Sequence, residues 1–210
     1  MSELAKQFEL EEHCKISIIK GGTGILLETI LQTKNGDIFL PGSARYYSDT
    51  TSLKFVDTTT VGYNEAVLMV RKDNPKNINY LMDLLNPEIR AVFSNKNSGS
   101  IGKEAFKVLS RYGNYEDFIL NAVKITTDSK DLTKMLINDE ADVAINWKAI
   151  KYWDENKDYL DVIDIDRQYS DKTPLIVSLL SYSKNKELSL KFYKKVTSEQ
   201  GKATFNKYGF

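Results

Sequence analysis

The sequence predicts an α/β fold built around parallel strands, and three observations support this class. Apolar runs of strand length alternate with segments whose apolar residues recur at helical spacing. Several of the turns between a strand and the next helix share one chemistry, a cluster of Gly, Ser, Thr and Asp. The chain has 210 residues, which is enough for one large domain or two small lobes.

The first forty residues predict the order helix, strand, helix, strand. Leu4, Ala5 and Phe8 fall on one face of an acidic amphipathic helix, and KISII (15–19) follows as a short buried strand. ILLETILQ has helical periodicity, with Thr23 placed to cap it, and GDIFL (36–40) is a second apolar strand. This order is the pattern of parallel α/β units.

The remaining elements alternate in the same way. A long strand is predicted over 61–75, a short helix over INYLMDLLN, and buried strands over 90–94, 121–127 and 141–147. Helices are predicted over 101–112 and LTKMLINDE, strands over DVIDID and 173–185, and two closing helices over the last 25 residues.

Composition and charge exclude several classes of function. Lys plus Arg and Asp plus Glu both number 29, so the chain lacks the basic excess of a nucleic-acid-binding protein. Cys14 is the single cysteine, so no intramolecular disulfide or multi-cysteine metal site can form. It adjoins the single histidine, His13, but adjacent strand residues point to opposite faces and would not converge. No apolar run is long enough to span a membrane.

Three strand-to-helix turns predict a site for a small anion. GGTG (21–24), NSGS (97–100) and TTDSKD (126–131) each precede a predicted helix. Ligands of parallel sheets lie at the carboxyl ends of strands, where helix N-termini present unpaired N–H groups. Each turn alone is typical of an ordinary helix cap, whereas the three together favour anion binding.

Sharper alternatives fit the residues less well. A nucleotide-binding loop ending at Gly102-Lys103 would need glycine at 97 and a hydroxyl at 104, and the sequence has Asn97 and Glu104. A hydrolase needs a nucleophile, a base and an orienting group, and His13 is the only histidine. We therefore expect no enzyme activity and no cofactor or metal centre.

Four segments together resemble a known family, the type II periplasmic solute-binding proteins. GGTGILLETIL with GDIFLPGSARYY is similar to that family's G-G-S-G-x-L and A-D-[VL]-F-x-S-A segments. SGSIGKEAFKVLSRYG resembles its P-A-G-x-Y-[AG]-K-E-A-L segment, and NDEADVAINW resembles G-E-A-D-x-G-I-V-Y. SEQGKATFNKYGF is similar to its closing helix, which ends in K-Y-G-F. The order covers almost the whole chain and is most similar to the molybdate- and tungstate-binding branch.

The resemblance implies two α/β lobes with mixed, mainly parallel sheets and a ligand cleft between them. It assigns residues 1–69 and 176–210 to lobe one and 70–175 to lobe two. Thr23 takes the place of a site serine, Ser98 and Ser129 stand at helix starts that offer N–H groups, and Trp147 replaces a tyrosine. The expected ligand-binding set is Gly22, Thr23, Ser43, Asn97, Ser98, Gly99, Ser100, Ser129, Asn146 and Trp147, with Arg45 and Tyr46 as further candidates.

The family's opening strand has no counterpart before Met1, so we expect the chain to be part of a longer exported precursor, with an internal start as the competing explanation. The implied function is capture of a molybdate-like oxyanion by a periplasmic or membrane-anchored extracellular monomer that delivers it to an ABC transporter permease. A sensory domain, or a binding protein for another small anion or ferric ion, is the alternative.

Overall fold

The computed structural model describes residues 1–21, 23–42 and 53–210. Its α-helices are α1 (Ser2–Glu12), α2 (Thr23–Thr33), α3 (Gly99–Tyr112), α4 (Tyr115–Leu120), α5 (Ser129–Ile137), α6 (Lys186–Thr197) and α7 (Glu199–Lys207). Its strands are β1 (Ile38–Phe39), β2 (Phe55–Asn64), β3 (Ala66–Arg71), β4 (Ala91–Ser94), β5 (Ala122–Thr126), β6 (Val143–Trp147), β7 (Leu160–Asp164) and β8 (Thr173–Leu180). Short 3-10 helices cover Leu81–Leu85 and Lys148–Tyr152.

The chain folds into two compact units. The first unit comprises Met1–Tyr63, Thr173–Tyr208 and Phe210, and the second comprises Asn64–Lys172 and Gly209. Each has its own sheet with flanking helices, so the predicted mixed α/β class is confirmed. The lobe boundaries expected at 69/70 and 175/176 fall inside β3 and β8, a few residues beyond the junctions of the compact units.

The first unit is built on a three-stranded sheet with the order β1-β8-β2. β1 pairs with β8 in the antiparallel direction, with Ile38 opposite Leu179. Phe8 of α1 and Phe192 of α6 stack with their ring centroids 5.1 Å apart, and both belong to a core that also contains Val177. Burial of these apolar side chains is the main stabilising contribution in this unit.

The second unit is built on a five-stranded sheet with the order β5-β4-β6-β3-β7. β4 is parallel to both β5 and β6, whereas β3 is antiparallel to β6 and to β7. Helices α3 and α5 both pack against β4 and β6, and their Leu109 and Leu132 are fully buried. The carboxyl ends of β4, β5 and β6 therefore share one edge, which is where parallel sheets bind ligands.

Three predicted elements differ from the structure. KISII forms no strand, and Ile18 and Ile19 are 40% and 77% exposed; no described strand pairs with this segment, and an apolar run needs such a partner to become a strand. The long strand over 61–75 is two strands, β2 and β3, because Glu65 interrupts it at the junction of the units. The segment INYLMDLLN forms a 3-10 helix instead of an α-helix.

The other predicted helices and strands are confirmed within a few residues. The amphipathic first helix buries Leu4, Ala5 and Phe8, as its spacing predicts. Among the described residues, the longest helix has 14 residues, so no described helix is long and apolar enough to cross a bilayer.

Candidate functional site

Three buried polar side chains end the parallel strands of the second unit. Ser94 closes β4, Thr126 closes β5 and Asn146 lies at the end of β6, and all three are buried. Ser94 is in register with Thr126. The β4–β6 register pairs Val92 with Ala144, and its continuation leads Ser94 toward Asn146. The carboxyl edge of this sheet thus carries a row of neutral hydrogen-bonding groups.

The start of α3 lies directly after this row. The Ser98 N–H donates to the Asn95 carbonyl oxygen at 2.9 Å, and the Asn97 N–H donates to Asn95 Oδ1 at 2.8 Å. The helix packs closely on this turn, because a Cβ at Gly102 would lie 1.9 Å from the Asn95 carbonyl oxygen. Only glycine permits so close an approach of a helix to a loop backbone.

Within the described part of the chain, no side chain caps α3. The Ser98 hydroxyl stands at the N-cap position, but it donates to the carbonyl oxygen of Thr127 instead of accepting from the helix. The first N–H groups of any α-helix have no intrahelical acceptor. Those of Ser100 and Ile101 therefore receive no capping side chain, and Ser100 is exposed.

The start of α5 is capped from within the chain. Asp128 occupies its N-cap position, and its Oδ1 accepts from the N–H groups of Lys130 at 2.8 Å and Asp131 at 3.0 Å. This carboxylate already supplies negative charge to the positive end of the helix dipole. The two helix starts thus differ, because α5 carries an anion of its own and α3 does not.

Asn146 and Trp147 connect these two helix starts. Asn146 is 0% exposed; its Nδ2 donates to the Ser129 carbonyl oxygen at 3.1 Å and to Thr133 Oγ1 at 3.3 Å. Its Oδ1 accepts from the Trp147 N–H at 2.9 Å. The Trp147 indole N–H donates to Ser100 Oγ at 3.3 Å. Asn146 is therefore hydrogen-bonded to α5 through its Nδ2 and to the Trp147 backbone through its oxygen, and the Trp147 indole contacts α3.

Glu104 is the carboxylate that the sequence places where a nucleotide loop needs a hydroxyl. Its side chain is largely buried on α3, and burial raises the pKa of this carboxyl above its ordinary value, although Lys107 opposes the shift from 3.8 Å. Lys103 of the same turn is exposed to solvent. The positive character of this helix start therefore comes from its backbone N–H groups.

A pocket of about 350 Å³ lies elsewhere in the second unit and is acidic. Glu65, Asp164, Asp166 and Asp171 are among its lining residues. Burial alone would raise the pKa of Glu65, but contacts with Lys172, Lys148 and Arg167 outweigh it and lower that pKa. Repulsion by these carboxylates makes the pocket a poor site for an anion.

The structure brings part of the predicted site together. Asn97, Ser98, Gly99, Ser100, Ser129, Asn146 and Trp147 all belong to the carboxyl edge of the second unit. Thr23 begins α2 in the first unit. Gly22, Ser43, Arg45 and Tyr46 lie outside the described residues. Within the described ranges, no group of three His, Cys, Asp or Glu side chains could hold a metal ion.

The sequence alone did not single out Ser94 or, within the TTDSKD turn, the burial of Thr126 and the specific capping role of Asp128. A signal for the first two exists, because each is the polar residue that ends an apolar run, as in RAVFS and NAVKIT. Asp128 precedes a helical segment, which is the position that favours aspartate as an N-cap.

Comparison with known proteins places this geometry among binding proteins. Residues 1–210 match a family described as bacterial extracellular solute-binding protein. A "Putative binding protein" of Haemophilus influenzae is 25% identical over 146 residues, which span 69% of this chain and 60% of that protein. The "Putative ABC transporter substrate-binding lipoprotein YvgL" of Bacillus subtilis is 22% identical over 216 residues, covering 100% of this chain and 81% of that protein.

Solved structures share the fold at low identity. The "substrate binding domain of putative molybdenum ABC transporter" from Clostridium difficile has a TM-score of 0.81 and 22% identity, covering 100% of this chain and 91% of that chain. Iron-bound HitA from Pseudomonas aeruginosa has a TM-score of 0.67 and 20% identity, covering 95% of this chain and 78% of that chain. The names of these two proteins refer to different metals, so the shared fold does not determine the ligand.

Proposed function

Because this chain belongs to the bacterial extracellular solute-binding protein family, we propose that it captures a small tetrahedral oxyanion and delivers it to the permease of an ABC transporter. The observation that carries the proposal is the start of α3, which no described side chain caps. The α5 start differs because it carries the Asp128 carboxylate.

The chemistry of this helix start suits an oxyanion. Backbone N–H groups and the positive end of the helix dipole stabilise negative charge without a lysine or arginine. Hydrogen bonds from N–H groups to an anion are about twice as strong as neutral ones. The exposed Ser100 hydroxyl adds one more polar group.

Molybdate or tungstate is the ligand we favour within this class. The resemblance of the SGSIGKEAF segment to the oxyanion branch supports this choice, and so does the molybdenum transporter named in one structural relative. The transporter partner is supported by the name of the Bacillus subtilis relative. A contribution from Thr23 of the first unit stays a prediction, as does one from the Ser129 N–H, which should be small because the Asp128 carboxylate already caps that helix start.

Two proline substitutions compare the helix starts directly. Gly99 and Ser129 are the first residues of α3 and α5, a position where proline is tolerated because that N–H has no helical acceptor. The preceding residues, Ser98 and Asp128, are extended, as a residue before proline must be. Gly99→Pro should weaken anion binding about tenfold, the effect of losing one charge-assisted hydrogen bond.

Calorimetric titration with molybdate, tungstate, sulfate and phosphate provides the measurement. Ser129→Pro is the matched control and should change affinity by less than about threefold, since α5 is already capped by Asp128. Absence of heat with all four anions in the unmodified chain would refute the proposed function. Equal losses in the two variants would show that the α3 start is not the main source of donors.

A further inference from the structure

The Asn146 side chain contacts the first turn of α5 and the backbone N–H of Trp147, the residue that leads to α3. It lies at the end of the central strand β6, which is flanked by β4 and β3. An amide has two N–H donors and one oxygen acceptor. Nδ2 donates to the Ser129 carbonyl oxygen and to Thr133 Oγ1 of α5 and also contacts Met69 Sδ of β3 at 3.8 Å, and the amide oxygen accepts from the Trp147 N–H.

These bonds form a continuous link between the two helix starts. It runs from Ser129 through Asn146 and Trp147 to Ser100 Oγ, which the indole N–H contacts at 3.3 Å. A second link runs from the Ser98 hydroxyl to the Thr127 carbonyl oxygen, just before α5. We infer that Asn146 is a positioning residue that fixes the spacing of the α3 and α5 starts and thereby selects anions by size.

The inference is supported by the free-energy cost of burying the Asn146 amide. Burial of an amide in an apolar interior is unfavourable unless its hydrogen bonds are satisfied, and leucine of similar volume would avoid that cost. Asn146 instead satisfies its N–H donors with the Ser129 carbonyl oxygen and Thr133 Oγ1 of α5 and with Met69 Sδ of β3. A rigid frame of donors discriminates between oxyanions of different radius, because a misplaced donor loses hydrogen-bond energy steeply with geometry.

The inference rests on the proposed function, and Asn146→Leu tests it with Asn121→Leu as the matched control. The Asn121 amide also donates two hydrogen bonds, to the carbonyl oxygens of Leu84 at 2.7 Å and Asn86 at 3.2 Å, but it precedes β5 at the opposite end of the sheet. Asn146→Leu should weaken molybdate binding about tenfold and bring the molybdate-to-sulfate affinity ratio toward one, because several hydrogen bonds are lost together. Asn121→Leu should leave both affinities within about twofold.

Two further measurements do not require an anion. Asn146→Leu should raise hydrogen exchange at the Leu132 and Thr133 amides of α5 about tenfold, since their turn loses its anchor. It should also shift the emission of Trp147, recorded with Trp153 replaced by Phe so that one indole remains. Neither change is expected in Asn121→Leu.

The outcomes separate the inference from the proposed function. If the unmodified chain binds none of the four anions, the function fails, while unchanged exchange and emission in Asn146→Leu would refute the link itself. A folded Asn146→Leu variant whose anion affinities fall equally, with an unchanged ratio, would overturn size selection. If Asn146→Leu does not fold, Thr133→Val provides a second test. It removes one acceptor of the Asn146 amide and should bring the molybdate-to-sulfate affinity ratio about threefold closer to one.

Discussion

The two ends of the five-stranded sheet use opposite chemistry. At the amino end of β4 and β6, Arg71, Arg90, Asp139 and Asp142 form a network of ion pairs. At the carboxyl end, β4, β5 and β6 finish in the neutral side chains of Ser94, Thr126 and Asn146. The charged end pairs its groups with one another, apart from the buried Arg71 Nε, which has no hydrogen-bond partner among the described residues. The neutral end leads to a helix start that no described side chain caps.

The ion pairs at the amino end stabilise the unit, whereas the neutral groups at the carboxyl end could contact a ligand. Asp142 Oδ2 accepts from the Arg90 N–H at 2.9 Å and from Nε at 3.2 Å, and Oδ1 lies 2.7 Å from the same guanidinium. Arg90 thus uses three of the roughly four acceptor sites of this carboxylate, and Arg71 lies 3.6 Å from Oδ1. Neutral amides and hydroxyls order the helix starts without adding formal charge that would attract or repel an anion.

The largest expected effect is at the charged end. Asp142→Ala should lower the free energy of unfolding by about 3 kcal/mol, because it leaves guanidinium groups without their buried partner. Chemical denaturation followed by circular dichroism provides the value. Asp154→Ala is the control in the same unit, since its pair with Lys157 is almost fully exposed and should contribute nothing measurable. Similar losses in the two variants would contradict the distinction between the ends.

The pH dependence of stability should also come from the charged end. Burial alone would raise the pKa of Asp142, but hydrogen bonds from Arg90 outweigh it and hold that pKa below its ordinary 3.8. The unfolded chain therefore takes up this proton more readily than the folded one. The network's contribution is complete above about pH 5 and is lost as the pH falls through the lower, folded pKa.

Urea midpoints measured from pH 6 down to pH 3 check this sign. The unmodified chain should lose stability steeply below about pH 4, and Asp142→Asn should lose less over the same interval. Parallel curves would assign the acid sensitivity to other carboxylates.

The smallest effect is expected in the neutral row. Ser94→Ala should change the free energy of unfolding by less than about 0.5 kcal/mol, because the hydroxyl it removes has no partner to lose. The same denaturation assay serves here. A decrease in the free energy of unfolding of more than about 1 kcal/mol would show that Ser94 makes a stabilising interaction. The neutral row would then contribute to stability as the ion pairs do.

Elements whose formation depends on local periodicity could be predicted from the sequence. Elements whose formation depends on pairing with another strand could not. The helix over 101–112 and the strand over 141–147 follow from spacing and apolar runs alone. KISII has the composition of a strand, but strands exist only as pairs, and the presence of a partner is not encoded in five residues. The break at Glu65 was not predicted, although Asn64 and Glu65 interrupt the apolar residues, because polar residues also occur on the exposed face of a continuous strand.

The sequence predicted which residues lie at the carboxyl edge better than it predicted the hydrogen bonds that each one makes. Ser98, Ser100, Asn146 and Trp147 were identified because polar residues cluster at strand ends, and all lie at the carboxyl edge. Which of them face solvent depends on packing: Asn146 is buried with all its donors used, and Ser100 is exposed. Hydrogen-bond direction is a property of the folded chain, so spacing alone could not assign it.

The start of α3 has a kinetic consequence. Long-range attraction of an anion needs net charge, and this chain has a net charge of zero. Backbone dipoles act only within a few ångströms, so an anion would reach them by unassisted diffusion. Its rate of association should then depend little on ionic strength, and differences between anions should lie in how slowly each one leaves.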